Sequence, residues 1–270
     1  MRWSVVVPVF NELDLLPRTV QSLIAQTEPC HIILVDNGST DGGIDAVRPA
    51  LAEHPGPVTF LSETEPGQVH ALYRGIGAVD TEFVAICDAD TWYPPHYLKR
   101  AGALFDAGGE NRVMLGAWLN PDRGSIGDAV RARRHRLAAA RLWPRQNHTA
   151  GSAQLFRTQA LRRAGGYSPG AWPYVLKDHE LAHRVLKLGS QAYDPDLWCV
   201  SSSRRADRGN VRWTLFERLM YHFTPFAAKD WFFYRFLAGR FRRRGLRDTV
   251  LRDRSRFAAP APDAAAGTVR

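Results

Sequence analysis

Apolar positions switch between strand-like runs and helical spacing along residues 1–120. Trp3–Val9 is a β-rich run. Residues 12–26 place Leu15, Leu16, Val20, Leu23 and Ile24 at helical intervals. A short apolar strand is expected over 32–35, a helix over 41–53, a strand over 58–61, a helix over 68–79 and a strand over 83–87. This alternation predicts an α/β fold, a mostly parallel sheet covered by helices on both faces. Ligands of such sheets bind beyond the carboxyl ends of the strands. Further along, the pattern predicts a helix over 96–106, a strand over 112–118, an Arg-rich helix over 126–142, a strand over 151–156 and an amphipathic helix over 177–188.

Composition narrows the class. The chain has 270 residues, 45% of them hydrophobic, enough for a large buried core. Three cysteines, Cys30, Cys87 and Cys199, are too few and too scattered for a disulfide framework or a zinc cluster, and they fit a reducing compartment. Pro8, Asn11 and Glu12 cut the first apolar run short, which argues against a secretory leader. No stretch approaches the ~20 apolar residues of a membrane span. The expected location is the cytoplasm, with peripheral attachment to the inner face of the cell membrane as the extension of that reading.

Charge is uneven. The formal net charge is +9, yet residues 201–256 hold 15 Lys and Arg against 5 acids, and the remainder is near neutral. A near-neutral body argues against a nucleic-acid partner.

The candidate chemistry sits where strands end. Asp88-Ala89-Asp90 follows a buried strand, and two carboxylates one residue apart at a sheet rim can hold a divalent cation and a sugar hydroxyl together. A solvated turn is the alternative for so short a pattern. The second strand also ends in an acid, in Asp36-Asn37-Gly38-Ser39-Thr40-Asp41, where turn and capping chemistry is the competing explanation. The first ends in Val7-Pro8-Val9-Phe10-Asn11-Glu12.

Taken together, Val5-Val6-Val7-Pro8-Val9-Phe10-Asn11-Glu12, Asp36-Asn37-Gly38-Ser39-Thr40-Asp41 and Asp88-Ala89-Asp90 resemble the family-two inverting glycosyltransferases of GT-A fold, in order and in spacing, across residues 3–200. The resemblance implies a nucleotide-diphosphate sugar donor of UDP or GDP type. Pro8, Phe10, Asn11, Glu12, Asp36, Asn37, Ser39, Asp88 and Ala89 would bind that donor, with Asp36 accepting a hydrogen bond from the base. Asp90 would ligate Mn²⁺ or Mg²⁺. Asp178, in Lys177-Asp178-His179-Glu180-Leu181, takes the position of the acceptor-side base, and Lys177 stands where relatives carry Glu. Many relatives place a His after the last strand; Arg204 and Arg205 stand there and are read as diphosphate contacts. His148, Trp172 and Tyr174 fall on the acceptor side. The implied acceptor is a hydroxyl, free or lipid-linked, in envelope glycolipid or polysaccharide synthesis.

The expected division is a GT-A domain over 1–206, with a nucleotide-sugar half (1–118) and an acceptor half (119–206). A basic, aromatic helical extension (207–256) and a disordered Ala/Pro-rich tail (257–270) follow. Trp213, Phe216, Met220 and Phe223 share a helical face, and an arginine cluster follows from Arg240 to Arg247. That segment either attaches to an anionic membrane or covers the catalytic domain. Two other functions compete. Nucleotidyl transfer is disfavoured because Phe10-Asn11-Glu12 lacks a glycine-rich phosphate loop, and a degenerate sugar-nucleotide-binding scaffold is disfavoured by the retained Asp90 and Asp178.

Overall fold

The computed structural model describes residues 1–122, 126–202 and 213–250. The chain runs β1 (Trp3–Val9), α1 (Leu16–Ile24), β2 (Cys30–Asp36), α2 (Gly43–Ala52), β3 (Val58–Ser62), α3 (Gln68–Gly77) and β4 (Phe83–Ile86). Next come β5 (Thr91–Trp92), α4 (Tyr97–Gly108), β6 (Arg112–Pro121), α5 (Ile126–Leu142), β7 (Gln154–Arg157), α6 (Thr158–Arg163), α7 (Lys177–Val185) and β8 (Ser190–Ser201). The last elements are α8 (Leu215–Phe223), a π-helical stretch Trp231–Leu237 and α9 (Ala238–Arg243). The strands form one sheet in the order β3-β2-β1-β4-β7-β6-β8-β5.

Strands β3, β2, β1 and β4 are parallel, as the alternation predicts. Beyond β4 the sheet is mixed, because β7 runs antiparallel between β4 and β6 and β5 runs antiparallel to β8. β1 is buried along its whole length. Its odd positions Val5, Val7 and Val9 join the core under α1, α2 and α4, while Val6 joins the core under α3 and α7. Strict alternation of side chains across a strand makes one run serve both layers. Helix α3 lies close on the sheet through Gly75, where a Cβ would come within 2.5 Å of Val6 Cγ1. Any larger residue at 75 would push α3 off its strands.

Three local expectations need correction. Residues 12–15 form turns, and α1 starts only at Leu16 with Pro17 in its first turn, where a missing N–H costs nothing. Residues 151–153 are a 3₁₀ turn, and the strand proper is Gln154–Arg157. Helix α7 ends at Val185, short of 188, so that the chain can turn into β8. β8 gives no alternating signal: polar residues and Pro195 interrupt it, and its pairing with β6 shifts register.

The C-terminal segment packs on this body. Tyr221, Phe232, Phe233, Leu237 and Phe241 form a core with Trp172 and Val175, which immediately precede α7. The tail 257–270 lies outside the described residues.

Candidate active site

The carboxyl ends of β1, β2 and β4 fall on one edge of the sheet, since Val9 pairs with Asp36 and Val6 with Ile86. The antiparallel β7 brings its first residue, Gln154, to the same edge opposite Ile86. The loops after β1, β2 and β4 and the turn that leads into β7 therefore meet there.

On the β1/β2 side, Asn11 adopts a left-handed backbone (φ 51°). Its side-chain oxygen accepts the Thr40 N–H at 2.8 Å, and its own N–H donates to Ser39 Oγ at 3.1 Å. Asp36 Oδ1 accepts the Ser39 N–H at 2.9 Å. The two loops thus lock each other, with Asp36 half-buried between them. Asn37 is buried and spends its amide on the following loop, donating to Glu63 and Glu65 carbonyls and accepting the Gly67 N–H. Its side chain shapes the cleft rather than offering a contact to a donor.

On the β4 side, Asp88 Oδ1 accepts from the Gln68 amide at 2.9 Å. Ala89 is buried, and its carbonyl accepts the Thr19 hydroxyl at 2.8 Å, which holds the turn. Asp90 Oδ1 accepts the Thr91 hydroxyl and Oδ2 the Ser202 hydroxyl, each at 3.2 Å. The end of β8 thereby orients Asp90. Arg204 and Arg205 lie outside the described residues.

Asp178 belongs to the first turn of α7, where the helix dipole favours negative charge. Leu176 enters that helix with φ 61°, and with Asn11 it is one of the two non-glycine left-handed residues among those described. A leucine held there is costly, and such conformations gather where geometry is imposed for function. A Cβ on Gly151 would sit 3.4 Å from Asp178 Cβ, so the 3₁₀ turn passes directly beneath the acid. The Tyr93 hydroxyl ties that turn to the other acids, donating to the Ser152 carbonyl at 2.9 Å and accepting the Asp88 N–H at 3.0 Å. Burial pushes the Tyr167 phenol well above its usual range, and the charges of Asp178 and Asp88 push it further. Through Tyr93, Ser152 and Gly151 the turns that carry Asp88 and Asp178 are held together at this edge of the sheet. The Asp178 carboxylate takes no hydrogen bond from any described residue, which leaves it available to a ligand.

Lys177 has a structural use. It pairs with Asp248, whose other oxygen accepts the Val69 N–H at 2.9 Å at the start of α3. Gly67 makes room for this, since a Cβ there would meet Asp248 Oδ2 at 2.9 Å. The chain end is thus latched to both α3 and α7. Sequence reading takes Lys177 as a departure from the family pattern; its partner lies 71 residues away and carries no local signal. Asp248→Ala is expected to cost about 2–3 kcal/mol in denaturant unfolding, because it strands a mostly buried ammonium and removes a helix cap. Equal unfolding midpoints for the variant and the parent would remove the latch.

The acceptor-side aromatics need correction. Trp172 is only 2% exposed and packs edge-on against Phe233 and Phe241. Tyr174 packs on Trp172 and Phe241. Trp172 offers no face for stacking on a sugar, because the C-terminal segment encloses it, and Tyr174 is half-buried against the same segment. His148 is also structural: its imidazole bonds the Trp143 carbonyl at 3.0 Å, and burial lowers its pKa.

A divalent cation fits this rim by ligand chemistry. Among the described residues no three His, Cys, Asp or Glu form a metal cage. Asp90 would supply one hard oxygen ligand beside Asp88, and Mg²⁺ or Mn²⁺ of nucleotide enzymes is held by one or two carboxylates plus phosphate oxygens.

The model of the family described as Glycosyl transferase family 2 matches residues 4–164. The chain belongs to that family. Among relatives of this family-2 chain, the undecaprenyl-phosphate 4-deoxy-4-formamido-L-arabinose transferase of Serratia proteamaculans is 37% identical over 111 residues, 39% of this chain and 34% of that protein. The match therefore spans about a third of the relative's length. Two solved structures share the GT-A fold. The mannosyltransferase PcManGT from Pyrobaculum calidifontis, in complex with GDP-Man and Mn²⁺, superposes with TM-score 0.65 at 24% identity, over 86% of this chain and 69% of its own. S. aureus TarS in complex with UDP-GlcNAc does so with TM-score 0.62 at 18% identity, over 89% and 73%.

Proposed function

We propose that this family-2 glycosyltransferase moves a sugar from a UDP- or GDP-type donor to a hydroxyl acceptor, in one displacement that inverts the anomeric carbon. The observation that carries the reading is the unengaged Asp178 carboxylate, fixed over Gly151 in a turn that Tyr93 ties to Asp88. Asp36, with one oxygen bonded to Ser39 and no described partner for the other, accepts from the nucleotide base. Asp88 holds ribose or sugar hydroxyls. Asp90 would hold Mn²⁺ or Mg²⁺, which neutralises diphosphate charge and improves the leaving group. Asp178 takes the acceptor proton as the acceptor oxygen bonds to the anomeric carbon, and the bond from that carbon to the diphosphate breaks. The nucleoside diphosphate departs with the bonding pair. One free carboxylate suffices for a single displacement, unlike the pair a hydrolase needs.

The relatives support a nucleotide-sugar donor and a lipid-linked acceptor. GDP-Man with Mn²⁺ and UDP-GlcNAc occupy proteins of this fold, and the Serratia relative is named for transfer involving undecaprenyl phosphate. A lipid-linked acceptor of envelope synthesis, met at the cytosolic face of the membrane, follows as the substrate class. Thermal unfolding with UDP and GDP tests the donor site. A ligand at about 100-fold its Kd adds about 2.7 kcal/mol, a Tm rise of roughly 5 °C or more, and Mn²⁺ should be required for it. Stabilisation by nucleoside triphosphates alone would instead favour nucleotidyl transfer. Nucleotide binding without turnover of any sugar donor would favour a scaffold.

A further inference from the structure

The inner face of α8 carries Glu217 and Tyr221 and is buried. Its outer face carries Leu215, Phe216, Leu219 and Phe223, and all four are exposed, Leu215 to 74% and Phe223 to 75%. The patch continues onto the next helical stretch: Phe236 packs at 5.9 Å from Phe216 and 5.7 Å from Trp231, itself half exposed. Contiguous large apolar side chains of this kind mark an interaction surface.

The charge around the patch identifies the partner. Residues 213–250 hold eight Lys and Arg against three acids. Each acid is turned to an ion pair: Glu217 to Arg240 and Arg244, Asp230 to Lys187, Asp248 to Lys177. Arg240 lies 5.8 Å over the Phe216 ring and 5.5 Å over Phe236, at the edge of the patch. Arg243 follows one turn later on the same helix face, and it is exposed, as are Arg235 and Arg242. An apolar face rimmed by arginines, with its acids neutralised, is complementary to an anionic lipid surface. No helix among the described residues is long and apolar enough to cross a membrane, so attachment through this face is interfacial.

The placement also has a functional consequence. The His179 ring, next to Asp178, packs edge-on at 5.3 Å from Trp213 and 5.4 Å from Tyr221. The Asp178 charge helps raise the buried Tyr221 phenol, after burial itself. One helix thickness therefore separates the proposed base from the outer apolar face.

We infer that the outer face of α8, continued by Trp231 and the arginines around Arg240, docks this enzyme on an anionic bilayer with the acceptor side of the cleft toward the lipid. The orientation rests on the lipid-linked acceptor proposed above, whereas docking itself is read without any sugar transfer. The test is sedimentation of the full chain with vesicles of phosphatidylglycerol and phosphatidylethanolamine, and with phosphatidylcholine alone. The parent should sediment with the anionic vesicles and be released by high salt. The triple variant Phe216→Ser, Leu219→Ser, Phe223→Ser should bind at least about tenfold more weakly. Arg242→Ala with Arg243→Ala should lose about fivefold for each arginine that lies near the surface. All these side chains are exposed, and circular dichroism and Tm verify that the variants remain folded. Equal sedimentation of the triple variant and the parent overturns the docking. So does a parent that ignores anionic vesicles and forms dimers that the triple variant abolishes, which would make a second copy the occupant. Vesicle binding without turnover leaves docking standing and fails only the reaction.

Discussion

Asp178→Asn is expected to lower kcat for transfer to a hydroxyl acceptor by about 10²–10⁴-fold, the usual contribution of a positioned general base. The substitution keeps shape. The Gln154 amide bonds the Asp178 backbone carbonyl at 3.1 Å, not its side chain, so that contact survives. Gly151 meets only the Cβ. The amide, however, has no lone pair basic enough to take the proton. Donor KM and nucleotide-induced stabilisation should stay near the parent, so the loss appears in kcat and kcat/KM together. The acceptor sets a second comparison. A phosphate monoester, with a second pKa near ~6, has already lost its proton near neutral pH. Transfer to a polyprenyl phosphate should therefore be far less sensitive to Asp178→Asn than transfer to an alcohol. Undiminished transfer to a hydroxyl acceptor would remove Asp178 from the base role.

Glu217→Ala is expected to loosen the whole C-terminal segment. Glu217 is fully buried and receives the Arg240 guanidinium at 2.8 Å, Arg244 at 2.9 and 3.0 Å, and the Thr214 N–H at 2.8 Å. With Thr214 it also forms the capping box that starts α8. Breaking a buried ion pair from one side costs about 3–5 kcal/mol; the arginines retain some water contact, which argues for the lower end. Tm should fall by roughly 5–10 °C. Glu217→Gln, which preserves the cap geometry, should lose less. The sign of the pH dependence follows. Burial raises the Glu217 carboxyl, but Thr214, Arg240 and Arg244 more than reverse that and leave it below its usual range. An acid depressed in the folded state stabilises fully above its unfolded pKa, and the contribution disappears as pH falls through the folded value. The stability gap between parent and Glu217→Gln should thus be widest near neutral pH and shrink in acid. A gap that widens below pH ~4 would contradict the ion-pair account.

Loss of this contact would reach the cleft, because the same segment carries Asp248. Its latch joins the first turn of α3, beside Gln68 and Asp88, to Lys177, beside Asp178. Two helices that present opposite sides of the cleft share one anchor. The arrangement gives Lys177 a structural role and leaves Asp178 unengaged.

What was legible in the sequence depended on locality. The parallel half of the sheet followed from alternating periods within short windows, and the rim acids followed from each strand ending in a polar turn. Asp36, Asp88 and Asp90 needed no long-range knowledge, because parallel strands necessarily end on the same edge. The positions of His148, Trp172 and Tyr174 were beyond such reasoning. Their surroundings come from Tyr193, 45 residues away, for the first and from Phe233 and Phe241 for the other two, and nothing local told an acceptor-facing ring from an enclosed one. The dual character of the C-terminal aromatics was hidden for the same reason. Phe232 and Phe233 turn inward and Trp231 outward, a division set by the π-helical turn and not by composition.

The amino-acid order alone determined the layered α/β body and which carboxylates stand at its rim, since both are consequences of residue periodicity over a few turns or strands. Only the tertiary structure decided that the turn beneath Asp178 is tied to Asp88 through Tyr93, that Lys177 belongs to Asp248, and that an apolar face of α8 is exposed among the described residues. Each of these depends on segments far apart in the chain being brought together, and burial and pairing at such distances are set by packing rather than by neighbouring residues.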